Sequence, residues 1–210
     1  MVIKNGWLHG THDAFERWQV PPPPSKRKPE LVRHGAVFLT RDRTLALADD
    51  ATRLCEADLL PEASVIDVLG PGPESEHMRG VVRGGVLGRH HYYATTPELW
   101  TEAWRSGEMM RFATANRAMV AQMARVQNLA MQRNLGLFTA ETNRAWLEAQ
   151  NLTRRWIEEL VSAVRTLGFD ALAGREVDTF RPEGPVACDV LFVLDGDALT
   201  PPRWVDPVRP

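Results

Sequence analysis

The chain has 210 residues, 44% of them hydrophobic and 25% charged, and its 25 Lys and Arg against 27 Asp and Glu give a formal net charge of −2. This is the composition of a globular protein with a core of its own, and near-neutral charge argues against a dedicated binder of duplex nucleic acid. No run reaches the roughly 18 apolar residues of a membrane helix, and no basic-then-apolar leader opens the chain.

The two cysteines, Cys55 and Cys188, form no CxxC pair. Their number argues against a disulfide framework and a thiolate zinc site, and no metal site is expected. The composition therefore predicts a cytoplasmic protein with no membrane partner.

The first part of the chain reads as a strand, a short helix and a long loop. Trp7-Leu8 is an apolar strand that ends at His9-Gly10-Thr11, and His12-Asp13 can cap a short helix through Phe15 and Trp18. The four prolines and the basic run of residues 21–29 exclude regular structure there, so we expect an extended surface loop.

Two further apolar runs predict strands over residues 36–40 and 63–69. Between them, Thr40 or Asp42 can cap a helix over residues 44–54. Residues 74–96 carry no clear periodicity, and we assign them no structure.

A long helical block follows. Thr96-Pro97-Glu98 combines a capping hydroxyl, a proline at the first helical position and an acid near the positive helix end. Apolar side chains then recur at helical spacing up to Leu167, with a break at Asn134-Leu135-Gly136, and Gly168 is placed as a C-terminal cap.

The block's first helix allows two interpretations. It packs on the rest of the protein as a lid through an apolar stripe, or its arginines offer a surface to an acidic partner or to nucleic-acid phosphate. The stripe contains Phe112, Met119 and Met123, and the arginines are Arg111, Arg125 and Arg133.

Strand character returns at residues 169–172 and 190–194. Strands, a helical block and strands again are not the regular alternation of a doubly wound sheet. We therefore predict an α+β fold in one domain, residues 1–210, with a helical insertion over about residues 97–167.

Several common catalytic motifs are missing from the sequence, among them GxGxxG, GxxxxGK[ST], HExxH and GxSxG. The set that remains is spread along the chain: Leu8-His9-Gly10-Thr11, Val37-Phe38-Leu39-Thr40, Val65-Ile66-Asp67-Val68, Gly168-Phe169-Asp170-Ala171-Leu172 and a strand ending Leu194-Asp195. This succession resembles the ADP-ribosyltransferase superfamily over residues 5–69 and 166–200. The resemblance implies a split β-sandwich core and NAD as the substrate.

The resemblance also implies roles for single residues. In NAD the nicotinamide leaves through a transition state with oxocarbenium character. The Gly10 backbone would pair with the nicotinamide amide, and His9 would bond a ribose hydroxyl with support from Thr11. Phe38 would stack on the nicotinamide ring or wall its pocket, and Thr40 would line the same cleft.

The family's late Glu, which orients the ribose and stabilises the cation, has no direct counterpart. Alignment on Leu194-Asp195 places it at Val190. Asp189, one residue earlier, is our first candidate for the catalytic acid, and Glu176 and Glu183 are alternatives. The family's second aromatic is also missing after Thr40.

The resulting hypothesis is a mono-ADP-ribosyltransferase of toxin or effector type. It would transfer ADP-ribose from NAD to a protein or nucleic-acid acceptor, and an inhibitory partner protein is left open. One alternative is an enzyme like the RNA 2′-phosphotransferases, for which Arg33, Arg41 and Arg43 are available. The other is a non-enzymatic interaction protein that acts through its long helices.

Overall fold

A computed structural model describes residues 4–24, 29–48, 51–110, 128, 131–132, 135–137, 139–178, 181 and 184–206. Over these residues the protein has the predicted α+β class, and its strands form one mixed sheet. Helices cover one face of the sheet, and irregular segments cover the other.

Seven strands form the sheet, and both ends of the chain contribute to it. They are β1 (Trp7–Thr11), β2 (Val37–Thr40), β3 (Arg53–Ala57), β4 (Val65–Asp67), β5 (Ala171–Asp178), β6 (Val186–Val193) and β7 (Arg203–Val205). Their spatial order is β4-β5-β6-β2-β1-β3-β7. The β4–β5 pair is parallel and the other neighbours are antiparallel.

The junction between β1 and β2 lies near the middle of the sheet. Strand β1 pairs with β3 along its whole length but meets β2 at the single register position Leu8↔Thr40. On its other side β2 pairs with β6 over four residues, from Val37↔Val193 to Thr40↔Val190. The two halves of the sheet are therefore joined most weakly between β1 and β2.

Four helices are described: α1 (Arg43–Ala46), α2 (Pro73–Gly84), α3 (Pro97–Ser106) and α4 (Ala140–Thr166). The predicted caps are present. The side chain of Asp42 accepts from Leu45 N at 2.9 Å, and that of Thr96 accepts from Leu99 N at 3.4 Å. After α4, Gly168 has φ +79°, the left-handed conformation of a C-terminal cap.

Buried side chains form a core on each face of the sheet. The helix-facing core packs α2, α3 and α4 on the sheet, with Trp104, Trp156, Leu160, Leu172 and Phe192 among its members. On the opposite face, Trp7, Leu39, Leu191 and Val193 are covered by Trp18, Val20, Leu59 and Leu199 from irregular segments. This second face carries the candidate site.

The structure corrects the prediction of a helix over residues 44–54. Helix α1 ends at Ala46, and Arg53–Ala57 is strand β3. The reason is tertiary, because β3 satisfies its backbone by pairing with β1 on one side and β7 on the other.

The expected short helix through Phe15 and Trp18 is also wrong, since residues 12–20 are irregular. The C-terminal segment after Pro202 contributes strand β7, and the unassigned residues 74–96 contain most of α2 and two short 3-10 helices.

The two interpretations of the Arg-rich helix concern residues 111–134. The side chains that carry both, from Arg111 to Arg133, lie outside the described residues. Both interpretations therefore stay predictions.

Candidate functional site

His9 lies on β1 with its imidazole half-buried and held by the neighbouring strand. Its Nδ1 is 2.8 Å from the carbonyl oxygen of Phe38. Because a carbonyl can only accept, Nδ1 carries the proton, and Nε2 of the neutral ring is an acceptor. Burial lowers the pKa of His9, although the bond to Phe38 opposes this, so the ring is neutral at pH 7.

Two aromatic side chains contact this imidazole and a third packs on one of them, and we name Phe15, Trp18 and Trp204 the aromatic cluster. The ring centroids of Phe15 and Trp18 lie 6.0 and 5.6 Å from that of His9, both edge-on. Phe15 also lies 5.4 Å from Trp204, which is 40% exposed. The indole N–H of Trp18 donates to Thr200 O at 2.8 Å and fixes that ring.

Gly10 follows His9 and packs against helix α1. A Cβ at this position would lie 1.7 Å from the carbonyl oxygen of Ala46, so no other residue fits without a backbone shift. The next residue, Thr11, accepts from Asp13 N at 3.3 Å and closes a turn. Both contacts are internal to the fold, and the predicted contacts of Gly10 and Thr11 with NAD stay predictions.

Phe38 and Thr40 face the other side of the sheet from His9. Because side chains alternate along a strand and Leu8 is opposite Thr40, residues 38 and 40 share a face with Leu8, whereas His9 points to the opposite face. Phe38 packs on the helix-facing core, 5.5 Å from Phe192. We expected His9, Phe38 and Thr40 to line one cleft, but this register places Phe38 and Thr40 on the face opposite to His9.

Thr40 has no exposed surface and joins β2 to β6. Its hydroxyl donates to Asp189 O at 2.8 Å and accepts from Asp42 N at 3.1 Å. In this conformation Thr40 orders the strand ends rather than lining a cleft.

Asp189 emerges on the same face as His9. Val190 is opposite Thr40 in the β2–β6 register, so its neighbour Asp189 points to the face that His9 also uses. Asp189 is directly opposite Arg175 on β5, with Arg175 Nε 3.5 Å from Asp189 Oδ1. The two side chains are 50% and 47% exposed, which leaves the carboxylate accessible to a ligand.

The alternative acids are placed differently. Glu176 lies opposite Cys188 in the β5–β6 register and shares the helix-facing side with it. Glu183 lies outside the described residues. Of the acids that the structure describes, Asp189 is the candidate that shares a face with His9.

A partly buried ion network lies beside the strand ends on the helix-facing side. The Arg181 guanidinium contacts the carboxylate of Asp42 and donates to Asp178 Oδ2 at 3.0 Å. Burial raises the pKa of Asp42, but the bonds from Leu45 N and Arg181 outweigh it and leave the pKa below its usual range. The Cys188 thiol, 3.6 Å from Arg181, has its pKa raised to about 11 by burial, so it is protonated at neutral pH.

Sequence reasoning missed the aromatic cluster and this ion network. Phe15 and Trp18 were visible as apolar residues, but a helical interpretation separated them from His9. Trp204 and Arg181 stand in segments rich in Pro and Gly, where spacing carries no information about neighbours.

The described residues contain no group of three or more His, Cys, Asp and Glu side chains that could hold a metal ion. None of the helices in the described part of the chain combines the length and the apolarity needed to span a bilayer.

The sequence and the fold were compared with known proteins. No protein-family model, no curated protein and no solved structure matches the chain.

Proposed function

We propose that the protein is an NAD-dependent mono-ADP-ribosyltransferase that acts on a macromolecular acceptor, either a protein or a nucleic acid. The observation that carries the proposal is that the side chains of His9 and Asp189 lie on the same face of the sheet. They come from opposite ends of the chain, on β1 and β6, which flank β2. The split β-sandwich of this enzyme class is part of the proposal, and the single-position β1–β2 contact supports it.

The chemistry suits these two side chains. In the reaction the N-glycosidic bond to nicotinamide breaks, the acceptor nucleophile bonds to the ribose anomeric carbon, and the acceptor loses a proton. The transition state gains positive charge on the ribose, which a carboxylate such as that of Asp189 stabilises. The neutral His9 presents Nε2 as an acceptor for a ribose hydroxyl.

The two alternative functions, an enzyme like the RNA 2′-phosphotransferases and a non-enzymatic interaction protein, have less support. Arg33 donates to Pro21 O at 2.7 Å, and Arg43 bonds the carbonyl of Asp206, so these two arginines engage different segments and do not converge on one phosphate. A non-enzymatic interaction protein that acts through its long helices would show no thermal shift with millimolar NAD, whereas the proposed enzyme would.

Labelled NAD with cell extract tests the proposal. We expect the wild-type protein to label an acceptor, and separate protease and nuclease digestion to assign its class. Asp189→Asn should lower transfer by roughly 100- to 1000-fold, because it removes charge stabilisation at the ribose. Glu176→Gln, on the other face, is the matched control and should retain transfer.

Two outcomes would count against this assignment. Transfer that survives Asp189→Asn and is lost in Glu176→Gln would move the catalytic acid to Glu176. The absence of both labelling and an NAD-induced thermal shift in the wild-type protein would refute the proposed function itself.

A further inference from the structure

Helix α4 holds a short irregular segment by its backbone, and we name that segment, residues 30–35, the strap. Val32 N donates to Asn151 Oδ1 at 2.7 Å, and Val32 O accepts from Arg154 at 2.6 Å. Gly35 N donates to Glu158 Oε1 at 2.6 Å, and Gly35 O accepts from Arg165 at 2.7 Å. The N–H and the C=O of both strap residues are thus satisfied by side chains of one helix.

The four side chains form a single stripe on α4. Residues 151, 154, 158 and 165 lie within about 60° of one another at 3.6 residues per turn, beside the buried side chains of Ile157 and Val161. At Gly35 the approach is close, since a Cβ there would lie 2.4 Å from Glu158 Oε2. The stripe and Gly35 therefore dock the strap at a fixed distance from the helix.

Two chains of contacts connect the strap to the imidazole of His9. Three residues after Gly35, the carbonyl of Phe38 bonds His9 Nδ1. In the other direction, Arg33 of the strap donates to Pro21 O at 2.7 Å, and the segment before Pro21 brings Trp18 to 5.6 Å from the His9 ring. Two sides of the imidazole are thus connected to one segment that α4 holds.

We propose that Asn151, Arg154, Glu158 and Arg165 of α4 are positioning residues that, through the strap, hold the ring of His9 in the orientation used for NAD. They do not contact the imidazole and act only through the backbone of residues 32–38. The inference rests on the proposed function for its kinetic consequence, but the placement of His9 can be measured without any reaction.

Neighbouring residues on α4 supply matched controls. Glu159 bonds Leu87 N at 2.8 Å and Gly88 N at 3.2 Å, so it anchors a different loop by the same kind of contact. Arg155 is exposed, next to Arg154. Comparing Glu158→Ala with Glu159→Ala, and Arg154→Ala with Arg155→Ala, separates a loss of positioning from a general loss of stability.

The first readout is the NMR shifts of the His9 ring nitrogens in the free protein. The wild-type protein should show one tautomer, protonated at Nδ1. Glu158→Ala and Arg154→Ala should give a mixture of tautomers, whereas Glu159→Ala and Arg155→Ala should match the wild type. Glu158→Gln keeps an acceptor for Gly35 N and should restore the single tautomer.

The second readout is transfer from NAD. Misplacement of a binding group by about 1 Å costs on the order of 100-fold, so Glu158→Ala should lower kcat/KM by roughly 10- to 100-fold, with Glu158→Gln close to wild type. An unchanged His9 tautomer in Glu158→Ala and Arg154→Ala would overturn the inference, even in an active enzyme. If the wild-type protein shows no transfer, the proposed function fails, and the NMR comparison still decides this inference. Should Glu158→Ala not fold, Arg154→Ala and Asn151→Ala carry the same comparison.

Discussion

At the scale of single residues, burial determines the protonation state of His91. His91 is 2% exposed and lies among the rings of Tyr93, Trp100 and Trp156, with centroids 5.6, 5.6 and 4.9 Å away. Its Nδ1 accepts from Tyr93 N at 3.2 Å, which requires the unprotonated nitrogen. Burial lowers the pKa of His91 to about 4, so the folded protein holds it neutral.

This environment predicts acid sensitivity. The unfolded chain binds the proton near pH 6.5 and the folded chain only near pH 4, so stability falls as the pH drops between these values. At pH 5 the loss is on the order of 2 kcal/mol. His91→Phe should be less stable than the wild-type protein at pH 7, because it loses the hydrogen bond from Tyr93 N to the imidazole. Between pH 7 and pH 5, however, the variant should lose less stability than the wild-type protein does.

Urea unfolding at the two pH values measures this difference. Parallel losses in the wild-type protein and in His91→Phe would contradict it. His34, whose pKa burial and Arg154 also lower to about 4, and His9, whose pKa burial lowers, contribute to the acid sensitivity that remains in the variant.

At the scale of elements, strand β1 and helix α1 meet without any side chain between them at Gly10. The strand backbone there lies against the Ala46 carbonyl, and Leu8, Ala46, Leu47 and Leu54 pack around the contact. The family resemblance predicted that the Gly10 backbone approaches a ligand closely. The structure shows that a close approach of α1 already requires glycine at this position.

Substitution at Gly10 should therefore destabilise the fold whether or not NAD binds. Gly10→Ala should lower the free energy of unfolding by about 2–3 kcal/mol, as overpacking of a tight contact does. Gly80→Ala is the control, because nothing lies within 4 Å of a Cβ at this position in α2. It should raise stability by about 0.5–1 kcal/mol through helix propensity. If Gly10→Ala and the wild-type protein had the same urea midpoint of unfolding, the backbone of α1 would move away from the new methyl group at little cost in stability.

At the scale of the whole molecule, strands from the two ends of the chain are interleaved. Strands β5 and β6, which follow the helices, lie between β4 and β2, which precede them. Strand β7 closes the far edge on β3. The N-terminal strands therefore form a continuous sheet only together with the C-terminal strands.

A fragment of residues 1–168 should fail to fold. Without β5 and β6, β4 loses its partner and β2 keeps only its single register contact with β1. We expect no cooperative urea transition for the fragment, whereas a chain ending at residue 206 keeps every described strand and should unfold cooperatively. A sharp transition in the fragment would show that the N-terminal part is an independent unit.

The sequence by itself determined the features that depend on neighbours in the chain. These are the α+β class, the caps at Thr96 and Gly168, and the strands at residues 37–40 and 65–67. Each rests on local hydrogen bonding or on a short apolar run, and such signals survive without knowledge of the fold.

Only the tertiary structure decided the rest. Residues 53–57 became a strand because β1 and β7 were there to pair with them. His9 met Phe15 and Trp18 rather than the ring of Phe38, and α4 bound the strap, because register and packing bring distant segments together. These contacts join residues far apart in the chain, and residue spacing carries no information about which distant backbone will supply the partner.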